Sequence, residues 1–296
     1  MPENAPPSCL IFIAQGLSEF GEKYSEFMHE QLALGRGCVF IDWSYQGGSF
    51  RHPDNPQKRH LDSFESDMRD MAYLIQHILP EKLREKGLPQ MPPLALVAHS
   101  MGAAISLLYM HTYPESFIHA QFSAPMIRIK LPGGRIFSLV TKTIVSLMNS
   151  LFENSYVFMG GDYSDKTRPL DTEKDILSKD PDRHLVHRKW IETNPSLALG
   201  NVTWRWLDHA IKLTEHIRRP DFIKSITVPV TIFTAGNDLL VDSKEIHRIC
   251  AHFPQGELVH MKKSYHEILM ERDIIRSAFL SDFNQNIAKA LSHLHS

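Results

Sequence analysis

Six apolar runs of six or seven residues each, at 9–15, 37–43, 94–99, 117–123, 229–235 and 257–262, alternate with stretches of helical periodicity. Nothing else constrains the chain as strongly. A short run apolar at nearly every position suits a strand covered on both faces, and strands separated by helices predict βαβ units around a parallel sheet. Residues 62–79 place Phe64, Met68, Met71, Ile75 and Ile78 on one helical face, and Pro80 is expected to close that helix. Helices are also predicted over 101–113 and 243–253, and from 267 to about 294. The fold class is α/β, with a mostly parallel sheet of about six strands flanked by helices.

The rhythm breaks between 126 and 222. This 97-residue stretch offers no strand pair and carries 15 basic and 12 acidic side chains, so it is net positive in a chain of formal charge -2. It reads as a mostly helical insertion dividing a core of 1–125 and 223–296. The near-neutral balance gives no basic footprint for nucleic acid. Three widely spaced cysteines, Cys9, Cys38 and Cys250, argue against a disulfide framework. With no basic n-region before the first apolar run and no span of ~18 apolar residues, a cytoplasmic protein is expected. The histidine pairs His184/His187, His209/His216 and His293/His295 lack cysteine or carboxylate companions, so neither a metal nor a cofactor is expected.

The sharpest local signal is Ala98-His99-Ser100-Met101-Gly102, where a buried strand passes through a serine directly into a helix. In such a nucleophile elbow the residues two before and two after the serine nearly touch, so both must be small. The serine then sits at a helix N-terminus, where developing negative charge is favoured. Its plainer role is a helix N-cap. Seventeen histidines make the mere presence of a base uninformative, so chain order selects. The run at 229–235 ends in Gly236-Asn237-Asp238, and the run at 257–262 is followed by Lys263-Ser264-Tyr265-His266. Both Asp238 and His266 thus follow strand ends on the side where Ser100 emerges, in the order Ser, Asp, His. Ser100 is the candidate nucleophile, His266 the base and Asp238 the orienting acid. Asp242 is the alternative acid, although capping the helix from Ser243 suits it better. The oxyanion donors would be the backbone N–H groups of Met101 and of Leu17, in the loop Gln15-Gly16-Leu17-Ser18-Glu19.

With Asp42-Trp43-Ser44-Tyr45-Gln46-Gly47-Gly48-Ser49, Ser123-Ala124-Pro125-Met126 and His266-Glu267-Ile268-Leu269-Met270-Glu271, these residues add up to a family likeness. The chain resembles an α/β-hydrolase of the monoacylglycerol lipase and bacterial lysophospholipase branch, the serine aminopeptidase-like hydrolases. Thr203-Trp204-Arg205-Trp206-Leu207 is similar to the lid of the lysophospholipase members. The resemblance implies an α/β-hydrolase fold with a lid, and a serine hydrolase acting on carboxylic acyl esters of lysophospholipids or monoacylglycerols. The chain departs from the family at four places. Gln15 replaces the usual oxyanion-loop histidine, and Ala98 replaces the elbow glycine. Ser44-Tyr45 replaces an Arg-Gly pair, so an arginine contact and a positive-φ position are expected to be lost. Only eight residues precede the first parallel strand, where the family carries a strand pair. Strand 37–43 would then be an edge, and edges invite pairing. A second copy of the chain, or the tail 1–8, is expected to cover it.

The segment 135–152 recurs in Ile136, Leu139, Val140, Ile144, Leu147, Met148 and Leu151 at helical spacing. Such a helix could line an acyl channel and meet a lipid surface from the inner face of a membrane, or pack on the core. Gly16, His99, Ile136, Val140, Trp204 and Trp206 are the candidate substrate contacts, each with packing as its alternative. Two other functions stay open. One is a small-ester hydrolase or aminopeptidase, which would need an amine-binding acid such as Glu153, Asp162 or Glu192. The other is an inactive hydrolase scaffold serving as a binding module.

Overall fold

The computed structural model describes residues 6–131, 138–164 and 169–294. Six parallel strands, β1 (Leu10–Ala14), β2 (Gly37–Phe40), β3 (Leu94–His99), β4 (Ala120–Ser123), β5 (Val230–Ala235) and β6 (Gly256–Met261), form one sheet in the order β2-β1-β3-β4-β5-β6. The register sets Ala14 beside Ala98, His99 beside Ser123 and Ala235 beside Met261, so the C-terminal ends share one edge of the sheet. β1, β3, β4 and β5 are buried at every residue, as strands covered on both faces should be.

Among the described residues ten helices accompany the strands: α1 (Ser25–Ala33), α2 (Phe64–Tyr73), α3 (Leu79–Glu85), α4 (Met101–Thr112), α5 (Ser138–Phe152), α6 (Val186–Thr193), α7 (Trp204–Ile217), α8 (Pro220–Lys224), α9 (Ser243–Cys250) and α10 (Asp273–Leu294). Helix α4 is buried at nearly every residue and lies so close to β1 that a Cβ on Gly102 would stand 2.1 Å from the Ala14 carbonyl oxygen. Only glycine permits that approach. Between β4 and β5 the described residues hold α5 to α8 and none of the six strands.

Several expectations are corrected. Pro80 does not close the helix begun near residue 62. A π turn at Leu74–Ile78, closed by the Leu79 N–H on the Leu74 carbonyl, precedes the proline, and α3 runs on with Pro80 in its first turn. The chain stays helical through this point, and the π turn accommodates a residue that has no N–H to donate. The terminal helix starts at Asp273, after a 3₁₀ turn at Ile268–Met270, so 267–272 is a loop. β2 and β4 are shorter than their apolar runs.

Candidate active site

The loops after β1, β3, β5 and β6 converge at the shared edge. Ser100 occupies the turn from β3 into α4 with φ 47° and ψ -112°. An L-residue is strained there, at a cost of order 1–3 kcal/mol, and the turn persists because β3 and α4 fix both of its sides. Ala98 is fully buried, and its methyl is accommodated. Ser100 Oγ lies 3.0 Å from His266 Nε2, and His266 Nδ1 lies 2.7 Å from Asp238 Oδ2. The other carboxylate oxygen, Oδ1, accepts the N–H groups of Leu240 at 2.8 Å and Val241 at 2.9 Å. Burial alone would push the Asp238 carboxyl up, but His266 and these two N–H donors hold it below the ordinary aspartate value. All three side chains are buried. The alternative acid, Asp242, caps α9 by accepting the Lys244 and Glu245 N–H groups.

The loop after β1 is clamped from several sides. Trp43 Nε1 donates to the Gln15 carbonyl at 2.8 Å, and Gln46 Nε2 donates to the carbonyls of Gly16 and Glu19 at 2.9 and 3.0 Å. The Gly16 N–H donates to Glu19 Oε2 and the Ser18 N–H to Gln46 Oε1. Between these two spent donors stands Leu17, whose N–H has no protein acceptor among the described residues, and the Met101 N–H at the start of α4 is in the same position. Gly16 is needed: a Cβ there would meet His99 Cδ2 at 2.7 Å. Gln15 donates from Nε2 to the Ile41 carbonyl and to Asp42 Oδ1, tying the loop to the segment after β2.

A buried ionic bridge lies behind the site. Lys23 Nζ sits 2.6 Å from Glu19 Oε1 and 2.7 Å from Glu267 Oε1, while Tyr24 Oη donates to Glu19 Oε2 at 2.7 Å. Burial pushes the Glu19 carboxyl up, but Lys23 and His99 together outweigh it and the net direction is down. The bridge joins the Gly16 loop to the loop of His266. Glu267 lies in a stretch that carries the family likeness, but no sequence pattern announced Lys23 or the bridge itself, which exists only once the two loops meet.

His99 packs beneath the site, with its ring 4.8 Å from that of His266 and Nδ1 3.1 Å from the Ser123 carbonyl; burial lowers its pKa to about 4. Trp206 packs edge-on to Phe64 in the core, and Trp204 packs with Val145 and Ile211 between α5 and α7. Val140 is 58% exposed on α5, while Ile136 lies outside the described residues. The positive φ expected to vanish with Tyr45 is retained at 66°. The strained turn is held by the Tyr45 hydroxyl on Asp62 at 2.9 Å and by ring contacts with Phe50 and His60. The buried Arg59 guanidinium reaches the Ser44 carbonyl at 2.8 Å and Met101 Sδ at 3.5 Å, so an arginine from another position contacts this region. Among the described residues no three His, Cys, Asp or Glu side chains are grouped to hold a metal ion.

With this geometry in place, comparison with known proteins adds a lineage. The family described as Serine aminopeptidase, S33 matches residues 5–273. The chain belongs to that family. It is similar to a probable lysophospholipase L2 of Haemophilus influenzae, 28% identical over 99% of this chain and 85% of that protein. It is also similar to lysophospholipase L2 of Escherichia coli, 26% identical over 92% of this chain and 78% of that one. Among solved structures, a soluble variant of monoglyceride lipase from Saccharomyces cerevisiae superposes with a TM-score of 0.74 at 17% identity, covering 98% of this chain and 89% of that chain. That superposition places the chain in the α/β-hydrolase fold.

Proposed function

We propose that this chain is a carboxylic ester hydrolase that uses Ser100, His266 and Asp238 as a catalytic triad, with lysophospholipids or monoacylglycerols as its substrate class. The observation that carries the reading is the unbroken run Ser100 Oγ to His266 Nε2 to Asp238, seated at the C-terminal edge of the sheet. Ser100 Oγ attacks the ester carbonyl carbon while His266 Nε2 takes its proton. The oxyanion forms between the N–H groups of Leu17 and Met101. Its collapse expels the alcohol, which receives the proton from His266, and leaves an acyl-Ser100. Water, deprotonated by the same imidazole, attacks that acyl group; the acyl–Oγ bond breaks, Ser100 Oγ takes the proton back from His266, and the fatty acid leaves. Asp238 holds the imidazole so that Nε2 faces Ser100 and stabilises the transient cation.

Three acids could have received a peptide amine, and each has its own partner. Glu153 pairs with Arg205, Glu192 pairs with Arg188, and Asp162 accepts from Tyr156 and Asn55. This favours ester over peptide substrates. Residues 126–222 serve as the lid in this reading. The lid grips the His266 loop: the Glu267 N–H donates to the Leu177 carbonyl, and Ser178 Oγ donates to the Met270 carbonyl. No helix among the described residues is long and apolar enough to cross a membrane. The lid is proposed to meet lipid from one face, with α5 as the contact, because Val140, Ile144, Leu147 and Leu151 stand exposed on it.

A fluorophosphonate probe tests the nucleophile. Wild type should label covalently, and Ser100→Ala should remain folded, stay unlabelled and lose at least about a thousandfold in ester turnover, since triad members act as a unit. His266→Ala should lose a similar factor. A folded wild-type protein that refuses the probe would reject the hydrolase and favour the binding module.

A further inference from the structure

A cavity of about 250 Å³ opens where α5 and α7 meet the segment after β4 and the loop before α9. Its wall carries four cations, Arg128, Lys130, Lys142 and Arg218, against two carboxylates, Glu215 and Asp242. Much of the remaining wall is aliphatic. The cations arrive from three separate pieces of chain, so the cluster is assembled by the fold. Lys142 pairs with Glu215 and closes one side.

The two guanidiniums are served at longer range. Arg128 stands 3.9 Å from Asp242 and 3.9 Å from Glu245, and Arg218 also stands 3.9 Å from Glu245. Glu245 is itself held by Arg248 at 2.8 Å, and Asp242 is engaged in capping α9. Arg128 and Arg218 therefore share Glu245, which a third arginine already holds, and Arg128 has Asp242 Oδ2 beside it at the same longer range. Burial lowers the Arg218 pKa, and the nearby charge of Arg128 lowers it further. Guanidinium forks paired only at 3.9 Å suit a tetrahedral oxyanion, which can take two N–H bonds from an arginine. Lys130 ties the cavity to the triad: its Nζ donates to the main-chain carbonyl of Asp238 at 2.5 Å.

We propose that this cavity binds a phosphate oxyanion, supplied either by the headgroup of a lysophospholipid substrate or by a free phosphate ester. As a headgroup site it rests on the ester hydrolase reading. As a phosphate site it does not. Arg128 and Arg218 hold the phosphate oxygens, and the aliphatic wall takes the glycerol carbons. Lys130 turns toward the anion or stays on Asp238 according to occupancy.

Two measurements test this. In the first, calorimetry titrates the full chain with glycerol 3-phosphate and with inorganic phosphate. Saturable binding is expected, weakened about tenfold or more in Arg128→Gln and Arg218→Gln. Arg218→Lys keeps the charge but loses the fork, and should weaken binding by an intermediate factor while unfolding at the same temperature as wild type. In the second, steady-state kinetics compare a lysophosphatidylglycerol with a monoacylglycerol of the same chain length. A rise in the ratio of their KM values in Arg218→Gln assigns the site to the substrate headgroup. Weakened phosphate binding with an unchanged ratio assigns it to free phosphate. No phosphate binding together with an unchanged ratio overturns the proposal. Failure of the wild type to hydrolyse either ester defeats the hydrolase reading instead, and leaves the calorimetric result standing by itself.

Discussion

A single residue can show where stability is surrendered near a site. Asp67 is almost fully buried, and its Oδ2 has no hydrogen-bond partner among the described residues. Burial pushes its pKa up to about 7, against the attraction of Arg59. Arg59 is itself buried, and burial lowers its pKa to about 10. Because the folded pKa of Asp67 is above the unfolded one, the folded state holds the proton more tightly. Native stability therefore falls as pH rises from about 4 toward 7, and the penalty is complete above that. A shift of this size is worth on the order of a few kcal/mol. Asp67→Asn should raise the midpoint of thermal unfolding at pH 8 by several degrees, and the gain should vanish near pH 4. An equal gain at both pH values would show that the charge is not responsible. Ser100, Asp238 and His266 were legible in the sequence because each is tied to a local cause, a sharp turn or a strand end. Asp67, Arg59, Lys23 and Glu267 carry no such mark. Their roles come from contacts made across the assembled fold.

Elements were legible to the degree that one environment acts along their whole length. β1, β3 and β5 are buried at every residue, and their apolar runs say so. Helix α5 is harder, because both of its faces are apolar. Val145 packs inward on Trp204 and Ile211. Val140, Ile144, Leu147 and Leu151 follow one another around the opposite face and are 47–62% exposed. A stripe of this kind on a lid helix is the proposed contact with lipid. Each such side chain contributes about 1.5–3 kcal/mol when transferred from water. The double variant Ile144→Glu with Leu147→Glu should lower co-sedimentation with phospholipid vesicles by about tenfold or more. It should slow hydrolysis of long-chain esters and spare a short soluble ester, since neither side chain is buried. Undiminished vesicle binding would reassign the stripe to a protein partner.

At the scale of the whole molecule, the described sheet ends at β2, whose outer edge is the weak point of the architecture. Apolar side chains stand beside it: Phe40 is 40% exposed, Leu34 52% and Tyr73 59%, next to a shallow groove lined by Ile41, Leu74 and Ile78 as well as Asp42 and Asp70. Described residues before β1 do not cover that edge. The Ser8 N–H donates to the Gly35 carbonyl, which places this residue on the inner side, between β1 and the approach to β2. A row of strand N–H and C=O groups that the described residues leave uncovered, flanked by exposed aromatics, is a template for a second chain, and edge-to-edge pairing would bury the groove of each partner. A stable pair needs roughly 1,200 Å² or more of total buried surface, so the strand must be joined by the flanking Phe40 and Tyr73. Light scattering should therefore report twice the 33.9 kDa of one chain at high concentration. Phe40→Lys, which sets a charge at the end of the edge strand, should return the protein to one chain per particle with ester hydrolysis intact. A wild-type protein that stays at the mass of one chain at every accessible concentration would mean that the edge is left to solvent.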